Sequence, residues 1–212
     1  MIPIWYCTRY NVAGINKLAD IAEKIVEIRI VNLIMEEFQL KLYNTENYIL
    51  TDVKDFFLQN GYLNTFDFFC IIIWKANRAK SKIAKRLLKF NSNLDESVIE
   101  LTSKIYLAET EQQKLNVLIV DFGFRLPMAS AILSLLYPEK FTIFDIRVCD
   151  TFPEYKGIEN LKFEKLWIKY SQYILSVRNY GELNVSLRDK DRLLWGKSFQ
   201  EQLENNIKSN FK

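Results

Sequence analysis

The 212-residue chain carries 15 Phe, 11 Tyr and 4 Trp against only 6 Gly and 4 Pro, which excludes a turn-rich all-β architecture and favours helices joined by short polar loops. Its net charge of +3 is too small to identify a partner, and the absence of histidine removes Ser/His and Cys/His catalysis together with the commonest zinc sites. Cys7, Cys70 and Cys149 are widely spaced and odd in number, so no disulfide framework, metal site or cofactor is expected.

In chain order, the N-terminal Met1-Ile-Pro-Ile lacks a basic start and apolar run, which predicts a cytoplasmic chain. Ile15, Leu18, Ile21, Ala22, Ile25, Ile28 and Val31 then form a first helical stripe. A helix starting near Asp52 is expected to end at Gly61, where a left-handed residue closes the last turn. The most apolar stretch, Phe66 to Trp74, is about half the length needed to cross a bilayer, so no membrane partner is expected. From Lys75 to Lys89 the chain holds seven basic residues, Arg78 and Lys82 among them, and no acid. Such segregation gives one face a positive field, though a run of this kind also serves as a merely solvated helix face.

Asn93 with Glu96, Thr110 with Gln113 and Ser186 with Asp189 have capping spacing and mark three helix starts. Val98, Leu101, Ile105 and Ala108 form a second stripe, and Phe163, Leu166, Trp167, Tyr170 and Ile174 a third; both are simplest as core. About nine or ten helices follow from these patterns. Between two of them lies Asp121-Phe-Gly-Phe-Arg-Leu-Pro-Met-Ala-Ser130. Pro127 suits the first turn of a helix, and Ala129, Ser130 and Ala131 behind it permit close approach by a neighbour. A tight hairpin here, over about residues 111–136, predicts free amides at the second helix's N-terminus, suited to a phosphate.

That hairpin, the small-residue helix, and the apolar run Phe141-Thr-Ile-Phe ending in Asp145 together resemble the helix-hairpin-helix DNA glycosylase superfamily, nearest the 8-oxoguanine DNA glycosylase branch. Ile73-Trp-Lys-Ala-Asn-Arg78 and Leu187-Arg-Asp-Lys-Asp-Arg-Leu-Leu-Trp195 resemble a bacterial subgroup of it, so the likeness covers about residues 66–200. The resemblance implies an all-α, two-lobed fold over residues 1–212, a monomer with no protein partner, and double-stranded DNA as the ligand. Gly123 matches the first hairpin glycine, Arg125 replaces the second, and Pro127 stands where bifunctional members carry their lysine nucleophile. Gly123, Arg125, Pro127 and Met128 are therefore expected at DNA, and the enzyme is expected to hydrolyse the N-glycosidic bond and leave an abasic site without strand cleavage.

Asp145 is the catalytic candidate. A carboxylate stabilises the oxocarbenium-like sugar and orients or deprotonates water, although Asp also caps a following helix very often. Arg147 either binds a phosphate beside the extruded nucleotide or pairs with an acid such as Asp150. Lys75 pairs with a buried acid, touches phosphate, or acts as a displaced nucleophile. Trp74 and Trp195 are either faces for an extruded base or plain packing. Arg188, Asp191 and Arg192, at spacings near one turn, are expected to brace the fold. The substrate implied is an oxidised purine, and the Asn-, Ile- and Lys-rich composition of an AT-rich source adds the modified bases of phage DNA and a defence role. The alternative is a hairpin module that binds DNA without chemistry.

Overall fold

The computed structural model describes residues 12–182 and 184–211, with side-chain surroundings from residue 23 onward. Among the described residues the chain is all-α, with ten α-helices and no strand. It divides into two compact units, Met1–Thr45 and Glu46–Lys212.

The first unit contains α1 (Val12–Tyr43). Of its predicted stripe, Ile25, Ile28 and Val31 are exposed. The side chains of Ile15, Leu18, Ile21 and Ala22, like Cys7 and the N-terminal segment, lie outside the described residues.

Next, α2 (Thr45–Tyr48) passes through a π-helical stretch, Ile49–Val53, into α3 (Lys54–Asn60). Gly61 ends this run at φ +79°, with its N–H on the Phe57 carbonyl, as the sequence predicts. α4 (Thr65–Ala76) leads through a 3₁₀ turn into the basic α5 (Lys80–Leu87). α6 (Leu94–Leu107) and α7 (Glu111–Asn116) start at the expected caps: Asn93 accepts from the Asp95 and Glu96 amides, and Thr110 and Gln113 form a reciprocal capping box. α8 (Leu126–Leu136), α9 (Phe163–Arg178) and α10 (Leu187–Lys208) complete the unit.

The core is built around α8, which is buried from Ala129 to Leu136 and packs on α3, α4 and α7. Helices of this kind bury their own backbone bonds, but the segment after α8 does not. Phe141–Phe144 is buried and has no helical ladder, so its polar groups need side-chain partners. Ser130 Oγ on α8 accepts from the Phe144 N–H at 2.9 Å. Tyr170 and Tyr173 on α9 donate to the Thr142 and Ile143 carbonyls at 2.6 and 2.9 Å. Burial raises both phenols well above their ordinary value, so they stay neutral donors. Three side chains thereby fix the segment that delivers Asp145. Among the described residues no helix is long and apolar enough to cross a membrane.

Candidate functional site

Four pieces of chain meet at a cleft of about 390 Å³. The C-terminal end of α4 supplies Trp74 and Lys75, and the fixed segment supplies Ile143 and Asp145. α2 supplies Glu46. The start of α10 supplies Arg188, Asp191, Arg192 and Trp195, whose spacing of three, four and seven residues puts them on one helix face.

Asp145 divides its two oxygens between two tasks. Oδ1 accepts the Arg147 N–H at 3.1 Å and closes a turn; the helix cap expected of Asp145 is not what forms, because the next helical element is the short 3₁₀ turn Val148–Asp150, whose N-cap position is Arg147. Oδ2 accepts from Lys75 Nζ at 2.7 Å, so Lys75 does pair with a partly buried acid. Burial alone would raise the Asp145 carboxyl. The Lys75 charge and hydrogen bond, helped by Arg147, outweigh it and hold the carboxyl below its ordinary value, so Asp145 is an anion at neutral pH.

Arg188 is the hub of the opposite wall. Its Nη1 donates to Asp191 Oδ2 at 2.5 Å, and its Nε and Nη2 donate to Glu46 Oε1 at 2.9 and 2.5 Å. Its guanidinium lies 5.3 Å from the Trp74 ring centre. Arg192 reaches the same Glu46 oxygen at 2.9 Å and Asp189 at 2.6 Å. Burial pushes the Asp191 carboxyl up to about 6 despite the opposing Arg188 charge and the Ile143 amide. Arg188, Asp191 and Arg192 thus share one ion-pair network with Glu46, and they also line the cleft. Glu46 is the member the sequence does not reveal: it is a lone acid 142 residues from Arg188, outside every matched segment.

Arg147 does not pair with Asp150. Asp150 is taken by Lys156 at 3.0 Å and Ser198 at 2.8 Å. Arg147 instead donates to Gln202 Oε1 at 2.6 Å, with its guanidinium 5.2 Å from the Trp195 ring centre and 5.5 Å from that of Phe199.

The hairpin residues fall elsewhere. After α7 the chain widens into a π-helical stretch, Val117–Asp121, and turns through Gly123 at φ +66° into α8. The predicted row of free amides is smaller than expected. The Met128 and Ala129 amides both donate to the Arg125 carbonyl, and Pro127 has no N–H to offer. Side chains supply the positive charge instead. Arg78, Lys82, Lys85, Arg86 and Lys89 line a groove that runs to Gly123. A Cβ at Gly123 would stand 2.8 Å from Arg86 Nη1, so the missing side chain is what lets the guanidinium lie on the turn. Arg125 is exposed and donates to Asn160 at 3.2 Å, while Pro127 and Met128 line neither groove nor cleft.

Thus Lys75, Asp145, Trp74 and Trp195 come together, Arg78, Lys82 and Gly123 come together, and the two groups are separate. Comparison with known protein families, characterised proteins and solved structures gives no match.

Proposed function

We propose that this chain is a DNA glycosylase of the helix-hairpin-helix type, with α7, the Gly123 turn and α8 as its hairpin and Asp145 as its catalytic carboxylate. The Lys75–Asp145 pair in a cleft walled by Trp74 and Trp195 carries this reading. Cleavage of an N-glycosidic bond builds positive charge on the sugar, and a carboxylate already ionised in the cleft stabilises that charge as it develops. The same oxygen can orient the attacking water. The flanking indoles offer faces for an extruded base, and the separate groove on α5 offers phosphate contacts to the duplex. The substrate class is a damaged or modified base in duplex DNA, phage-type modified bases included.

The test is base release. Duplexes carrying oxidised or modified bases are incubated with the protein and then treated with alkali to break abasic sites. Cleavage that depends on Asp145 is expected; Asp145→Asn should abolish it while duplex binding survives. Binding without release on any substrate, wild type included, would make the chain a hairpin module without chemistry.

One observation favours a second course for the same reaction. Lys75 Nζ lines the cleft beside the proposed catalytic carboxylate, 2.7 Å from Asp145 Oδ2. In its amine form Lys75 can attack the sugar C1′ as the C1′–base bond breaks, with a proton passing to the departing base; opening of the C1′–O4′ bond then leaves an imine. Borohydride trapping of a covalent protein–DNA adduct separates the two courses. Hydrolysis by water predicts none, and a lysine nucleophile predicts an adduct lost in Lys75→Met.

A further inference from the structure

Trp195 belongs to the cleft, but the surface beyond it on α10 has no part in the chemistry above. Phe199, one turn further along, lies with its ring centre 5.4 Å from that of Trp195 and its plane within 7° of parallel. Both rings remain 42–44% exposed, although large aromatic surface in water is costly. Across both rings lies the Arg147 guanidinium, and Gln202, on the same helix as the two aromatics, holds it in place. Two near-parallel aromatic rings with a fixed cation lying over them have the parts a nucleotide needs: π surface for a base and a positive charge for its phosphate. Because Trp195 lines the cleft, this ledge begins where the cleft ends.

We infer that Trp195, Phe199 and Arg147 form a stacking ledge for an unpaired nucleotide adjacent to the one held in the cleft. This rests on the DNA reading above and adds a second nucleotide-binding position to it. Stacking on such a platform is indifferent to base identity, because every base has a π face. The ledge therefore grips the strand that runs out of the cleft and leaves selection of the target to the cleft itself.

The experiment uses the full chain and short single-stranded oligothymidylate, with duplex DNA as the parallel arm. Phe199→Ala removes one exposed ring and should weaken single-strand binding about tenfold, with Phe199→Tyr restoring it. Duplexes carrying 2-aminopurine beside an abasic-site analogue report on the ledge directly: fluorescence quenched by the wild type should recover in Phe199→Ala. Duplex binding through the α5 groove should persist, and unfolding curves should match, because Phe199 is not a core residue. If Phe199→Ala changes neither single-strand affinity nor quenching while duplex binding is intact, the ledge is refuted and the glycosylase reading stands. If the wild type binds no DNA of either kind, the glycosylase reading falls, and the ledge with it. If light scattering shows that Phe199→Ala dissociates an oligomer while nucleotide binding is unchanged, the rings are a self-association face and the inference is overturned.

Discussion

Replacing Lys75 by methionine keeps the length of the side chain and removes the ammonium from Asp145. The pair is partly shielded from solvent, with side chains 16% and 22% exposed at a separation of 2.7 Å. Two unit charges about 4 Å apart in a medium of effective dielectric about 20 interact by about 4 kcal/mol. Breaking a buried pair costs about 3–5 kcal/mol. Residual solvent access and the Arg147 N–H, which still serves Oδ1, reduce this to about 2–3 kcal/mol at neutral pH, a fall in Tm of roughly 5–10 °C for a unit of this size. The effect has a definite pH dependence. In the wild type the folded Asp145 carboxyl titrates below its ordinary 3.8, so its contribution is present above that value and is lost as pH falls through the depressed one. In Lys75→Met burial acts without that opposition and raises the carboxyl. The variant is then penalised at neutral pH and relieved as the carboxyl protonates. Urea unfolding of both proteins from pH 7 down to pH 3 should show the gap closing toward acid. A gap of equal size at both ends would refute the pair as its cause. So would a Lys75→Met/Asp145→Asn double-mutant cycle with coupling below about 0.5 kcal/mol.

Asp191 should behave with the opposite sign. Its folded carboxyl is raised to about 6, so its favourable contribution is complete below 3.8 and lost as pH rises through about 6; Asp191→Asn should remove that slope from the unfolding profile. Ser130→Ala leaves the buried Phe144 amide without an acceptor and should cost about 1–3 kcal/mol in chemical denaturation; a loss under about 0.5 kcal/mol would show that the segment does not depend on this bond. Gly123→Ala imposes a left-handed side chain worth about 1–2 kcal/mol and pushes Arg86 off the turn, so melting temperature and duplex affinity should fall together. Lys82→Glu with Arg86→Glu should weaken duplex binding and reduce the salt dependence of log K by about 2, measured by fluorescence anisotropy; an unchanged slope would remove the groove from DNA binding.

Local rules made the helices legible in the sequence. The Thr110 capping box, the Asn93 and Ser186 caps and the Gly61 terminator depend on groups within four residues of one another, and each lies where its spacing predicts. Helical periodicity likewise places Val98, Leu101 and Ile105 on one face of α6, and that face is buried. Periodicity could not assign burial to the stripe on α1, since a face is buried only if something covers it, and Ile25, Ile28 and Val31 are exposed.

The candidate site was legible residue by residue but not as an arrangement. Asp145 and Lys75 are 70 positions apart, and only the packing of α4 against α8, with Ser130, Tyr170 and Tyr173 fixing the segment between α8 and α9, brings their charges within hydrogen-bond reach. Glu46 gave no local signal, because a single acid acquires meaning only from the two arginines that converge on it. The start of α8 has fewer free amides than its sequence suggests, for the converse reason. Sequence places Pro127 in the first turn, but only the folded turn shows the Arg125 carbonyl taking the Met128 and Ala129 donors. Periods and caps are set by neighbours along the chain, whereas charge pairs, clefts and spare hydrogen bonds are set by neighbours in space.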